Sequence, residues 1–286
     1  MGNRKRTTAL VFLLCSVFFG SAIAADNEAD LEFPSKAKEL SFFSGLGMGI
    51  WKPKGNGPFP AVLIVHTCGG VTEHIGYWRK EAVKRGFVAF VIDSFTSRGS
   101  PNCRPRAPIS MDRGVEDVLD AVEHLKSFAF VDPDKIALLG FSWGAMAGLL
   151  SASPSTVSDI SKKANPPTAV VSFYPGCYIG PFNDFPGREY LVADTNIPTL
   201  VLMGGKDNET PPSECIPRLK ALQNRGAPVE WKVFDDATHG WDKSESNNVR
   251  RTPPWAGGQT VVYRFDKGIR EESAEIAFKF VTRQFD

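Results

Sequence analysis

Ile136-Ala-Leu-Leu-Gly-Phe-Ser142-Trp-Gly-Ala-Met-Ala-Gly-Leu-Leu150 is the stretch whose reading decides the fold. An apolar run reaches Gly140, a Gly-x-Ser-x-Gly pentapeptide follows, and a run of small and apolar residues opens at Trp143. That order predicts a buried strand, a sharp turn and a helix, with Ser142 on the exposed apex. Gly140 and Gly144 flank the serine because a side chain at either position would collide with the strand or helix beside it. A pentapeptide of this kind is weak by itself. Its context, strand before and helix after, is what a nucleophile elbow requires.

Outward from Ser142, strands and helices alternate. Ala61–Val65 is apolar on both faces, as a central parallel strand covered by helices must be, and it empties into His66-Thr-Cys-Gly-Gly70. Further strands are expected at Phe87–Ile92, Ala169–Phe173, Pro198–Met203 and Val229–Phe234. Helices are expected at Glu73–Arg85, across Val115 to Leu125, at Ser213–Arg225 and at the C-terminus, where Ala274, Ala277, Phe278, Val281 and Phe285 form one stripe. The alternation implies an α/β fold with a mostly parallel sheet and helices on both faces. Ligands in such sheets bind at the carboxyl ends of the strands. Ser142, Asp207 and His239 each fall just past a predicted strand end.

The totals set bounds. With 286 residues and 42% hydrophobic content the chain can bury one large core, and residues 38–286 read as a single domain. The net charge of +1 comes from dispersed Lys and Arg, so no basic stripe points to nucleic acid. No histidine and cysteine cluster has metal-ligand spacing, and no phosphate loop with lysine follows a strand, so neither metal nor cofactor is expected. Arg4, Lys5 and Arg6 precede an apolar run from Ala9 to Phe19 and the small-residue segment Gly20–Ala24. Residues 1–24 therefore read as a cleaved export signal and 25–37 as a loose linker. An uncleaved anchor is the alternative, for which the run is short. A periplasmic or secreted chain meets oxidising conditions, which makes Cys68, Cys103, Cys177 and Cys215 candidate disulfide partners.

A serine hydroxyl becomes a competent nucleophile when a neutral imidazole takes its proton, and a carboxylate on the other ring nitrogen fixes the tautomer. The order Ser142, Asp207, His239 is the α/β-hydrolase order. Of four histidines, His124 lies within a helix and His74 opens one. His66 ends a central strand and competes with His239, but as base it would break the chain order; its ordinary role is to shape the following loop. Asp207 follows a strand and a Gly-Gly turn and is preferred over Asp194, Asp235 and Asp236, with Glu209 as a fallback. Trp143 N–H and Cys68 N–H are the expected oxyanion donors, each worth about 3 to 4 kcal/mol. The loops 99–108, 179–194 and 242–258 should line the mouth, although Asp242–Arg251 by itself reads as solvated rather than as a binding site.

The motifs His66-Thr-Cys-Gly-Gly, Val91-Ile-Asp-Ser-Phe-Thr-Ser-Arg98-Gly, Gly140-Phe-Ser-Trp-Gly144, Phe173-Tyr-Pro-Gly, Gly204-Gly-Lys-Asp207 and Ala237-Thr-His239-Gly together resemble the dienelactone hydrolase family of the α/β-hydrolase fold. The resemblance runs from about Ala61 to the last helix. It implies hydrolysis of a small-molecule ester or lactone without a cofactor. Well-known members carry a cysteine nucleophile and a glutamate after the earlier strand, where this chain has Ser142 and Thr67, so a general esterase is the expectation. Arg98 resembles an arginine that can meet a substrate carboxylate, with a structural role as the alternative, and Trp241, beside His239, is assigned to the substrate site. The resemblance also makes Cys68 and Cys103, and Cys177 and Cys215, neighbours and therefore the expected disulfide pairs. A scaffold that binds without turnover, or a peptidase or acyltransferase using the same residues, are the other functional readings.

Overall fold

A computed structural model describes residues 27–29, 33–34, 42–43, 47–103, 107–162, 164–180, 187–253 and 257–286. The expected export signal lies outside the described residues. Among the described residues, eight strands form the central sheet: β1 (Asn27–Ala29), β2 (Gly49–Trp51), β3 (Phe59–Val65), β4 (Val88–Ile92), β5 (Val131–Phe141), β6 (Ala169–Phe173), β7 (Thr199–Gly204) and β8 (Val229–Phe234). Their spatial order is β1-β2-β4-β3-β5-β6-β7-β8. β2 is antiparallel to both its neighbours, and the six strands from β4 to β8 in that order are parallel. The mostly parallel sheet expected from the alternating pattern is therefore the one formed. β1 was not expected, because it falls in the stretch read as linker.

Among the described residues, six α-helices accompany the sheet: α1 (Glu73–Lys84), α2 (Met111–Lys126), α3 (Trp143–Ser151), α4 (Pro154–Ile160), α5 (Pro212–Gln223) and α6 (Lys267–Phe285). Alternate residues of one strand feed opposite faces of a sheet. Leu63 and Val65 of β3 accordingly belong to the core layer that also holds Val118 of α2, Leu149 of α3 and Leu219 of α5. Val62 and Ile64 belong to the opposite layer, with Trp78 of α1 and Ala274 and Phe278 of α6. With both faces covered, β3 and β4 are continuous apolar runs and β6 is apolar but for Ser172, whose hydroxyl donates to Ala145 O; each fully buried Val, Leu or Phe contributes roughly 1.5 to 3 kcal/mol. Leu63→Ala in the centre of this core should cost about 2 to 5 kcal/mol.

The helix starts follow from side-chain chemistry. Ser110 Oγ accepts from Arg113 N–H to cap α2, and Asp266 Oδ1 accepts from Ile269 N–H to cap α6. α3 has no such cap; it begins directly after Ser142, whose backbone conformation turns the chain out of β5. Among the described residues, no helix is long and apolar enough to cross a membrane.

Candidate active site

The turn between β5 and α3 is tight enough to dictate its residues. Ser142 lies at φ 50°, ψ −105°, a conformation that costs a non-glycine residue on the order of 1 to 3 kcal/mol. Its N–H donates to Phe173 O at 2.9 Å and its carbonyl accepts from Met146 N–H at 3.0 Å, which hold the strained residue from both sides. A Cβ on Gly140 would stand 2.4 Å from Gly144 O, and one on Gly144 would stand 2.4 Å from Val65 O and 2.7 Å from His66 O. The two glycines thus allow α3 to start in contact with the end of β3. Gly144 N–H seals that contact by donating to His66 O at 3.0 Å.

The strand-end loops bring three distant side chains together. Ser142 Oγ donates to His239 Nε2 at 3.0 Å, and His239 Nδ1 donates to Asp207 Oδ2 at 2.7 Å. Asp207 is fixed in turn: Oδ1 accepts from Glu209 N–H and Thr210 N–H, each at 2.9 Å, and Thr210 Oγ1 donates to Oδ2 at 3.0 Å. All three side chains are buried. Burial disfavours the imidazolium of His239, but the Asp207 and Glu209 carboxylates outweigh that penalty and raise its pKa to about 9. Glu209 Oε2 lies 3.7 Å from Nε2, on the side of the ring that faces Ser142. It also accepts from Tyr263 OH at 2.5 Å.

His66 is built differently. Its Nδ1–H donates to Thr67 O at 2.7 Å while Nε2 accepts from Ser94 N–H at 3.0 Å. Burial lowers its pKa, against the opposing pull of Asp93, so the ring is neutral with both nitrogens committed. Its face stacks on the Trp143 ring at 5.5 Å between centroids. His66 therefore couples the loop after β3 to the residue after the nucleophile, as its ordinary reading supposes.

Ser142, Cys68 and His239 line a cleft of about 350 Å³, together with Glu209, Lys243, Arg251 and Tyr263. Trp143 N–H is among the first four of α3 and so has no carbonyl within the helix to serve. Cys68 is bonded to Cys103, and Cys177 to Cys215, with Cα atoms 5.1 and 5.0 Å apart. Both pairs expected from the resemblance are formed, and Cys103 N–H also donates to Cys68 O at 2.9 Å.

Two expectations are corrected, and a third in part. Arg98 does not face the cleft: it forms a two-pronged pair with Asp117 at 2.9 and 3.0 Å and donates to Ser94 O, with its side chain 5% exposed. Asp117, buried and shared with Arg113, holds it there. Trp241 is fully buried in the core beneath α6, donating to Ser273 Oγ at 3.3 Å and packing edge-on against Tyr174. Asp242–Arg251 is solvent-exposed over most of its length, as expected, but its first residue is buried and the stretch contributes to the cleft. Asp242 is fully buried and accepts from Trp78 Nε1 at 2.7 Å and Tyr174 OH at 2.8 Å, while Lys243, Glu245 and Arg251 line the cleft. A Val249–Arg251 and Val261–Tyr263 ribbon carries Arg251 and Tyr263 there. Among the described residues, no group of three or more histidines, cysteines and acids is arranged to hold a metal.

The sheet order, the elbow and the strand-end loops define an α/β-hydrolase. The dienelactone hydrolase family model matches residues 49–285, and the chain belongs to that family, a family of carboxylic ester hydrolases. A Yersinia pestis relative assigned as a carboxymethylenebutenolidase is 30% identical over 224 residues, 73% of this chain and 76% of its own. An Escherichia coli relative with the same assignment is 28% identical over 202 residues, 67% of this chain and 71% of its own. Two solved structures share the fold. A Klebsiella pneumoniae protein described as a dienelactone hydrolase has a TM-score of 0.62 at 21% identity, covering 90% of this chain and 97% of that one. A Lactobacillus plantarum carboxylesterase has a TM-score of 0.63 at 12% identity, covering 91% and 98%.

Proposed function

We propose that this protein is an exported serine hydrolase that cleaves a small or medium carboxylic ester or lactone through an acyl-enzyme. Ser142 Oγ attacks the carbonyl as His239 Nε2 takes its proton, and Asp207 holds the Nδ1–H tautomer and offsets the imidazolium charge. The carbonyl electron pair moves to oxygen, where Cys68 N–H and Trp143 N–H receive it. His239 then returns the proton to the leaving alkoxide. Water repeats the sequence on the acyl-serine and releases the acid.

The observation that carries this reading is the continuous chain from Ser142 Oγ through His239 to Asp207, at 3.0 and 2.7 Å, on a serine held at positive φ. Strain of this kind persists where the surroundings over-determine it, and here it presents the hydroxyl to the imidazole. A cleft of about 350 Å³ lies at the small end of the range for small-molecule sites, roughly 300 to 1,000 Å³. Export is supported by the basic and apolar N-terminal segment and by two disulfides.

The test is hydrolysis of p-nitrophenyl acetate and butyrate by residues 25–286, beside Ser142→Ala and His239→Ala. Turnover by the wild type and a loss of about 10⁴-fold or more in each variant is the expected result. Equal rates in all three proteins, with no labelling of Ser142 by a fluorophosphonate, would mean a binding scaffold. Mass spectrometry of the exported protein should find a mature chain starting at Ala25, and a chain retaining residues 1–24 would refute processing.

A further inference from the structure

Two clefts meet at Glu209. It lines the cleft that holds Ser142 and His239, and it also lines a second one of about 500 Å³ bounded by Cys177, Asn208, Thr210 and Gln259. Among the described residues, no other is common to both linings. Its side chain is 7% exposed, and Oε2 is directed by Tyr263 OH at 2.5 Å to a point 3.7 Å from His239 Nε2. That nitrogen must accept a proton twice, first from Ser142 and later from water. During the second transfer Ser142 is esterified, and a water above the acyl carbon has one hydrogen on Nε2 and one left over. A carboxylate oxygen 3.7 Å from Nε2 is spaced to accept the second hydrogen, because a water bridging two acceptors needs each about 2.8 Å from its own oxygen.

We propose that Glu209, aimed by Tyr263, orients the deacylating water and that the second cleft is where this water enters. This rests on the acyl-enzyme reading above. In the step, the water oxygen bonds to the acyl carbon as one proton passes to Nε2 and the carbonyl pair moves to the oxyanion. The other hydrogen stays on the attacking oxygen, hydrogen-bonded to Glu209. The intermediate then collapses, the bond to Ser142 Oγ breaks, and Nε2 returns its proton to Oγ. Glu209 takes up no proton in this step.

The proposal separates the two half-reactions. With p-nitrophenyl butyrate, at a pH above the acid limb of both enzymes, Glu209→Gln should leave the acylation rate within about threefold. Decay of the butyryl-enzyme, followed by mass spectrometry, should slow on the order of 10- to 100-fold, the effect of misplacing a reactant. A p-nitrophenol burst approaching one per active site should appear, and hydroxylamine, a nucleophile strong enough to react without such guidance, should restore turnover. Tyr263→Phe keeps the carboxylate but removes the hydroxyl that donates to it, and should slow deacylation in the same direction by a smaller factor; it serves as the test if Glu209→Gln does not fold. Deacylation at the wild-type rate, or acylation and deacylation falling by the same factor, would overturn the proposal. Absence of both a burst and fluorophosphonate labelling in the wild type would sink the serine reading, and this proposal with it.

Discussion

Replacing Gly144 by alanine adds one methyl group where the start of α3 touches the end of β3. The new Cβ would stand 2.4 Å from Val65 O and 2.7 Å from His66 O. Both obstacles are backbone, so no side chain can swing away. Restoring ordinary contact requires the two elements to part by about 1 Å. Ser142 and Cys68 are carried by those same two elements, so the displacement falls directly between the proposed nucleophile and the proposed oxyanion donor. A misplacement of about 1 Å costs on the order of 100-fold in rate, whereas overpacking of this size costs about 1 to 3 kcal/mol in stability. For a chain of this length that lowers the melting temperature by several degrees. Gly144→Ala should therefore fold, melt slightly early and lose about 100-fold in kcat/KM. Gly76→Ala is the control: it lies in α1, nothing stands within 4 Å of its Cβ, and alanine should stabilise the helix by about 0.5 to 1 kcal/mol without altering turnover. The assay is steady-state ester hydrolysis beside thermal unfolding of the same preparations. Activity within threefold of wild type at an unchanged melting temperature would refute the close-approach reasoning.

Other outcomes follow from the same contacts. His239 must be neutral to accept the serine proton, and its pKa is raised to about 9, so the rate should climb with pH along a limb displaced above 6.5. Glu209→Gln removes one of the two carboxylates that raise it and should move that limb to lower pH; an unmoved limb would show that Glu209 does not act on the ring. The same shift makes His239 contribute stability below about pH 6.5 that is lost as pH rises toward 9. Thermal scans of Ser142→Ala should show this loss, and His239→Ala should flatten it. Arg98→Ala leaves buried Asp117 with Arg113 as a remaining cation and should cost on the order of 3 kcal/mol in urea unfolding, with the kcat/KM ratio of anionic to neutral esters unchanged. A selective loss on anionic esters would return Arg98 to the substrate site. Cys103→Ser opens a loop with a sequence separation of 35 and should cost roughly 3 to 4 kcal/mol. Because it also unties Cys68, turnover should fall in protein that is still folded at low temperature.

How much of this was legible in the sequence depended on whether a residue's partners were local. The central strands were readable because β3, β4 and β6 are buried on both faces and are apolar almost throughout, Ser172 of β6 being the polar exception. Ser142, Asp207 and His239 were readable because each follows a strand end, and parallel sheets gather those ends. α4 left a signal that went unread, Ser153 before Pro154, with Ser153 Oγ accepting from Thr156 N–H. β1 left none, since it joins the sheet through main-chain pairing with β2. Asp242 was misjudged for a related reason. A carboxylate in a polar run looks solvated, and its donors, Trp78 and Tyr174, lie 164 and 68 residues away. Arg98 shows the same failure: Asp117, which immobilises it, sits on α2, 19 residues further on.

On the proposed serine mechanism, Thr67 and Glu209 take complementary parts. A cysteine nucleophile must be kept from ionising at the wrong moment, and the resemblance associates that control with a glutamate after the earlier strand. Here that position is Thr67, whose Oγ1 accepts from Gly69 N–H at 3.1 Å and from Lys243 Nζ at 3.3 Å. It ties the oxyanion loop to the segment carrying His239, and Thr72 reinforces the tie by donating to Glu245 at 2.8 Å. The residue has become a brace between loops. The carboxylate near the reaction comes instead from Glu209, on the loop that also supplies Asp207, and it faces the imidazole. A serine hydroxyl is un-ionised at any working pH and needs no acid to restrain it, but its acyl ester must be released by water. A carboxylate beside the base is of use in that second step, so the change of nucleophile and the change in where the acid enters the site are one coherent change.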